Sequence, residues 1–162
     1  MRETVAVTPA TKLLDRLKLP YQLHSYEPDP AHPSYGEEAA EVLGVSGDRV
    51  LKTLLASADG SRLIVAVLRV SAQLDLKAAA RAAGAKKVAM ANPVDAERAT
   101  GYVVGGISPI GQKKRLDLFI DEAAKTFDTV FVSGGRRGLE IELSPTDLAT
   151  ATSGIFAPLA TT

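Results

Sequence analysis

The sequence predicts a mixed α+β domain. Strand-like segments recur along the whole chain, short capped helices separate them, and Asp59-Gly60 sits between two strong strand patterns as a hairpin signal. That hairpin makes the sheet antiparallel or mixed. No internal repeat, linker or low-complexity segment interrupts the pattern. A length of 162 residues fits one domain, 1–162, with a sizeable core.

Residues 1–7 read as a loose tail. Thr8-Pro9 is an N-cap and first helical residue, and Leu13, Leu14 and Leu17 form a helical stripe to about Lys18 before Pro20 stops it. Residues 21–26 alternate weakly and read as a strand; 27–33 form a proline-rich loop. Ser34 and Glu37 have capping-box spacing for a helix that ends at Gly44. Strands are expected over 50–57 and 62–70, a helix over 75–83 closed by Gly84, and a strand over 86–90. Asn92-Pro93 opens a helix to about Thr100. Three further strands are expected over 116–121, 129–133 and 139–143, followed by a helix that Ser144-Pro145 caps, with Asp147 at the third helical position. Residues 155–162 read as a second frayed tail.

Composition narrows the chemistry. Hydrophobic residues make up 46% and charged residues 23%, an ordinary globular balance. Net charge is zero, so nucleic acid cannot be held by bulk charge and any contact needs a local basic patch. The chain has no cysteine, which excludes disulfides, thiolate zinc sites and a protein thiol nucleophile. Two histidines, His24 and His32, among Pro28, Pro30 and Pro33, do not make a helical ligand pair. We therefore expect no metal and no cofactor. No apolar run approaches a membrane span and no signal-peptide core opens the chain, so the expected address is the cytoplasm, with no membrane partner.

The stretch from Gly101 to Arg115, GYVVGGISPIGQKKR, carries Gly101, Gly105, Gly106, Gly111 and Pro109 ahead of three cations. Glycine leaves main-chain N–H groups unscreened, so such a loop can hold a phosphate or a carbonyl oxygen. A tight loop needed only for packing fits the same residues. The spacing matches neither the dinucleotide fingerprint nor a P-loop. Lys52 alternates onto one strand face with Val50, Leu54 and Ala56, opposite Leu51, Thr53 and Leu55. It either reaches water from near a sheet edge or anchors a phosphate or carboxylate in a cleft. The loop Ser133-Gly134-Gly135-Arg136-Arg137-Gly138 is either a plain strand connection or a site for a polar, anionic ligand. Glu140 and Glu142 point opposite to Leu139, Ile141 and Leu143, and a carboxylate there can bind an α-ammonium group. Tyr26 and Tyr35 flank the proline-rich loop and serve as core or as pocket wall. His24 is expected to be structural and hydrogen-bonded. Ser108 lacks the surroundings of a nucleophile elbow. Lys86, Lys87, Lys113, Lys114, Arg115, Arg136 and Arg137 form either a basic patch or a solvated face.

These segments together resemble the YbaK/EbsC family of aminoacyl-tRNA deacylases, and within it the bacterial YbaK type that acts on cysteinyl-tRNA(Pro). The matching pieces are TPATKLL at Thr8, Y-x-x-H-x-Y at Tyr21, VLKTLL at Val50, QLDLK at Gln73, AKKV at Ala85, GYVVGGISPIGQKKRL at Gly101 and VSGGRRGLEIEL at Val132. They span Thr8 to about Ala149. The resemblance implies a mixed, barrel-like sheet of six or seven strands with surrounding short helices, shared with the editing insertion of prolyl-tRNA synthetases. It places the essential lysine on Lys52 and the loop amides on Gly105 and Gly106. The substrate-binding positions fall on Tyr26, Tyr35, Thr53, Ser133, Gly135 and Glu140. Two positions depart from the family pattern: Tyr35 is often phenylalanine there, and Glu140 is usually aspartate.

The resemblance further implies cleavage of the aminoacyl ester of mischarged tRNA, with the substrate's own thiol closing to a thiolactone. By reaction type that is a lyase rather than a hydrolase. The implied partners are the 3′ end of tRNA(Pro) and prolyl-tRNA synthetase. An alanyl- or seryl-type specificity, or a non-catalytic module that binds tRNA or a synthetase, are the competing readings.

Overall fold

The computed structural model describes residues 7–32 and 34–161. Its helices start where the capping residues stand. Thr8 caps α1 (Pro9–Leu17) and exchanges hydrogen bonds with Thr11. Ser34 caps α2 (Tyr35–Leu43), Asp75 caps α3 (Leu76–Ala83), Asn92 caps α4 (Pro93–Thr100) and Ser144 caps α5 (Pro145–Thr152). Each of these side chains takes up main-chain N–H groups that the first helical turn leaves without partners.

Among the described residues eight strands form two sheets. β2 (Leu51–Ala58) and β3 (Arg62–Arg69) form the hairpin, flanked by β4 (Val88–Met90) on one side and by β5 (Asp117–Asp121) and β8 (Ile155–Ala157) on the other, in the order β4-β2-β3-β5-β8. The β3–β5 and β5–β8 pairs are parallel, so this sheet is mixed. The second sheet runs β1 (Gln22–Ser25), β7 (Leu139–Leu143), β6 (Val130–Ser133), antiparallel throughout. The mixed α+β class agrees with the expectation, but the strands do not close into one barrel. The two sheets meet at a single bridge, Val50 to Phe131. The hairpin turn also takes three residues rather than two, because Ala58 pairs with Arg62; Asp59 and Gly60 both adopt positive φ.

The main core lies between the sheets, where Leu51, Leu55, Val65, Val67 and Ile120 meet Val130, Val132, Ile141 and Leu143, with Leu14 and Leu148 from α1 and α5. The other face of the five-stranded sheet, with Ala56, Ile64, Ala66 and Phe119, is covered by Ala79 and Ala80 of α3. Every second residue of β2 and β3 thus enters a different core, the expected alternation.

The C-terminal stretch differs from the frayed tail the sequence suggests. β8 extends the sheet beside β5, Leu159 is buried, and Leu159 and Gln73 carbonyls accept from the N–H groups of Asp75 and Thr161. The segment is too short to show a strand period, and its three-residue strand follows Gly154, which hid it. Residues 1–6 of the expected N-terminal tail lie outside the described residues; Val7 is exposed. A 3-10 turn at Glu122–Thr126 also escaped the sequence reading.

Removing residues 155–162 is therefore expected to cost about 3 kcal/mol from the lost burial of Leu159 and Ala157 and the unpaired edge of β5. A thermal melt should fall by roughly 6–12 °C for a chain of this size. An unchanged melting temperature would show that the segment adds nothing to the fold.

Candidate active site

A cavity of about 420 Å³ opens where β4 stops. β4 covers only Ala56–Ala58 of β2, with one more bond from the Ala91 N–H to the Leu55 carbonyl. Residues 52–54 of β2, between β4 and the parallel bridge of Val50 to Phe131 of β6, therefore have no strand beside them on that side. The ladder phase is set by the Val70 N–H donating to the Val50 carbonyl. By antiparallel alternation, Thr53 turns its main-chain N–H and C=O groups away from β3 and toward this gap. The loop after α4 lies across the gap, and the end of the three-stranded sheet closes it with Tyr26, Ser133 and Glu140. The volume suits a small polar ligand.

Lys52 and Thr53 both line this cavity from β2. Lys52 is half-buried, and burial lowers its ammonium pKa, an effect that Glu37 opposes. Among the described residues no carboxylate forms an ion pair with it. The snorkelling alternative therefore gives way to a cation inside a cleft. Thr53 Oγ1 is buried with no hydrogen-bond partner among the described residues, an arrangement that normally costs about 1–3 kcal/mol unless a ligand fills the role.

Glu140 sits on the central strand of the three-stranded sheet, opposite His24 on one side and Ser133 on the other. It is only 7% exposed, and burial pushes its carboxyl up to about 8. Tyr26 faces the same space; burial first, and then the charges of Glu140 and Glu38, push its phenol up to about 12. Glu142, two residues on, has another fate. Its carboxylate accepts from Thr129 and Arg49 and pairs with His24 at 2.9 Å, and the Thr129 bond leads in holding it below its usual range. His24 is structural, as expected, and its ring packs on Phe131.

The glycine loop divides into different roles. Gly105 lines the cavity at φ +98°, and no acceptor among the described residues takes its N–H. Gly106 does not fit the expected amide role: its N–H donates to the Val103 carbonyl at 2.8 Å. Gly106 is needed for packing instead, since a Cβ there would lie 2.6 Å from the Arg136 Cα. Gly135 is likewise displaced from the substrate list. Its N–H donates to Ser133 Oγ, a Cβ there would press on Thr8 and Tyr102, and it does not line the cavity. Ser133 stays in the lining.

Tyr35 borders the cavity against Gly105, and the Arg137 guanidinium lies 4.4 Å from its ring centroid. Arg137 is in turn bound to Glu38 through Nε and Nη2 and to the Asp29 carbonyl, while the Asp29 N–H donates to Glu38. This clamp joins α2 to both glycine loops. Sequence reasoning missed it because Glu38 and Arg137 lie 99 positions apart and no local pattern links them. It also takes Arg137 out of the cations that form either a basic patch or a solvated face. Lys86 and Lys87 give their N–H groups to Asp59 at the far end of the hairpin, and Arg115 bonds Ser153. Ser108 is buried, with Oγ accepting from the Ile110 N–H.

Fold and cavity bring Lys52, Thr53, Glu140 and the Gly105 loop around one recess. The sequence model of the aminoacyl-tRNA editing domain family matches residues 29–151, and the chain belongs to that family. It is an aminoacyl-tRNA deacylase by class. It is 38% identical over 160 residues, 99% of this chain and 97% of the relative, to EbsC of Enterococcus faecalis. That protein's name assigns it, provisionally, as a Cys-tRNA(Pro)/Cys-tRNA(Cys) deacylase. It is also 40% identical over 87 residues, 54% of this chain and 15% of the relative, to a proline–tRNA ligase of Acidithiobacillus ferrooxidans. The same fold occurs in a protein described provisionally as a trans-editing enzyme for prolyl-tRNA synthetase, with a TM-score of 0.79 at 21% identity over 98% of this chain and all of that one. The hypothetical protein APE2540 gives 0.83 at 25% identity over 95% of this chain and all of that one. Among the described residues no helix is long and apolar enough to cross a membrane.

The raised carboxyl of Glu140 has a stability consequence of definite sign. The native state holds this proton more tightly than the unfolded chain, so the contribution is full below about pH 4.5 and is lost as pH rises through about 8. Glu140→Gln removes that loss. The variant should match the parent's melting temperature near pH 5 and exceed it at pH 8.5; equal melting temperatures at both values would contradict burial as the cause.

Proposed function

We propose that this chain is a trans-editing deacylase that clears cysteine from tRNA(Pro) by attack of the substrate's own thiol. The carrying observation is the unoccupied N–H of Gly105 in a cavity beside half-buried Lys52. The similarity to EbsC over nearly the whole chain supports the substrate. An aminoacyl ester is already activated; it needs its carbonyl polarised and the resulting oxyanion held. A donor of this kind typically contributes about 3 kcal/mol to the barrier.

In this reading Lys52 holds the terminal phosphate or ribose. Tyr26, Tyr35, Thr53, Ser133 and Glu140 orient the 3′ adenosine and the amino acid, with Thr53 Oγ1 finding there the partner it lacks. The thiol sulfur forms a bond to the ester carbon. The tetrahedral intermediate then collapses with cleavage of the bond to the ribose oxygen, and the proton that left sulfur ends on that oxygen. The products are a cyclic thiolactone and free tRNA. The chain contributes position, which a cysteine-free protein can do without a nucleophile of its own.

The neutral net charge supports a partner. A chain with no excess of positive charge holds tRNA weakly, and docking on prolyl-tRNA synthetase in the cytoplasm raises the local tRNA concentration.

Purified protein should deacylate cysteinyl-tRNA(Pro) in preference to alanyl- and prolyl-tRNA(Pro), and mass analysis should find the thiolactone. Lys52→Ala should lose the activity while keeping its melting temperature. Release of free cysteine with no thiolactone would refute the thiol route, and an active Lys52→Ala protein would remove the anchor role.

A further inference from the structure

We infer that Glu140 makes a free α-amino group an entry requirement, so that the cavity accepts aminoacyl esters and rejects N-acylated ones, formyl- and peptidyl-tRNA included. The inference rests on the reading that this cavity takes the aminoacyl ester. Glu140 lines it, is nearly fully buried, and among the described residues has no cation paired with it.

Among the described residues no cation pairs with Glu140, and all its charged and titratable neighbours but Lys52 are committed elsewhere. His24, its cross-strand partner on β1, is held by Glu142. Arg137 is held by Glu38. Lys52, from β2, feels Glu37 as its charged neighbour. Tyr26 is a neutral phenol whose ionisation the Glu140 charge opposes. Ser133, its neighbour on β6, accepts from the Gly135 N–H. A buried carboxyl in such company either keeps its proton or faces a cation that arrives with the ligand.

An aminoacyl ester brings such a group. Acid and amine can share one proton in either arrangement, as carboxylic acid with neutral amine or as carboxylate with ammonium, and both are hydrogen-bonded. An acylated nitrogen carries no charge and has no basic lone pair to accept the proton. Its acyl group must also fit against a carboxyl that is almost closed off. At neutral pH both free partners are protonated, since burial holds the Glu140 proton to about pH 8 and an α-ammonium titrates near 7.7–8.0. Binding therefore expels a proton.

The test uses non-hydrolysable probes on the full chain: 3′-(cysteinylamino)-3′-deoxyadenosine and its N-acetyl form, titrated by calorimetry at pH 7 in buffers of different ionisation enthalpy. The free-amine probe should bind at least about tenfold more tightly, the scale of one charged hydrogen bond. Its binding should release up to one proton. Glu140→Gln should reduce the preference to about twofold and abolish the proton release. Equal binding of both probes to the unaltered protein overturns this inference while leaving the cavity reading intact. Binding of neither probe overturns both.

Discussion

The site depends on the shortness of β4. Three residues pair with the C-terminal half of β2 and then the chain leaves for α4, so the middle of β2, between β4 and the bridge of Val50 to Phe131, keeps unpaired main-chain groups on one side. A longer β4 would complete the ladder and fill the space with backbone. Open strand edges are normally a hazard in β proteins. Here the edge is covered at a distance by the loop after α4, and the gap between them is the cavity. The lysine, the orphaned threonine hydroxyl and the main-chain groups of β2 all enter from that one interrupted strand.

The second element is the clamp that holds the covering loop. Gly105 is kept at the cavity by Tyr35, Tyr35 lies under Arg137, and Arg137 is tied to buried Glu38. The Asp29 N–H leads in keeping Glu38 below its usual carboxylate range, with Arg137 adding to it. The loop itself has little regular structure, so its geometry comes from neighbours distant in sequence. At φ +98° the Gly105 position calls for glycine, and no acceptor among the described residues takes its N–H.

Local rules made much of this legible from the residues. Cap residues locate four of the five helix starts, while Asp75, read as the first residue of α3, is in fact its cap; the alternation of β2 places Lys52 and Thr53 on opposite faces. What local rules cannot supply is the partner across the fold. Gly105 and Gly106 look equivalent in sequence; only the turn closed on Val103 separates a free amide from an occupied one. Glu140 and Glu142 share a face of β7, and only Thr129, Arg49 and His24 make one a structural anion while the other stays unpaired. Gly135 looked like a ligand-loop glycine and proved to be a packing contact with α1's cap. β8 carried too few residues to reveal a period and is recognisable only beside β5.

The placement of β8 bears on how the chain folds. The outer strand of the larger sheet comes from residues 155–157, and β7, the middle strand of the smaller sheet, pairs with β1 from the opposite end of the sequence. The larger sheet is complete only once residues 155–157 join it, and the smaller one only once β7 meets β1, so both depend on contacts between segments far apart in sequence, a topology that slows folding.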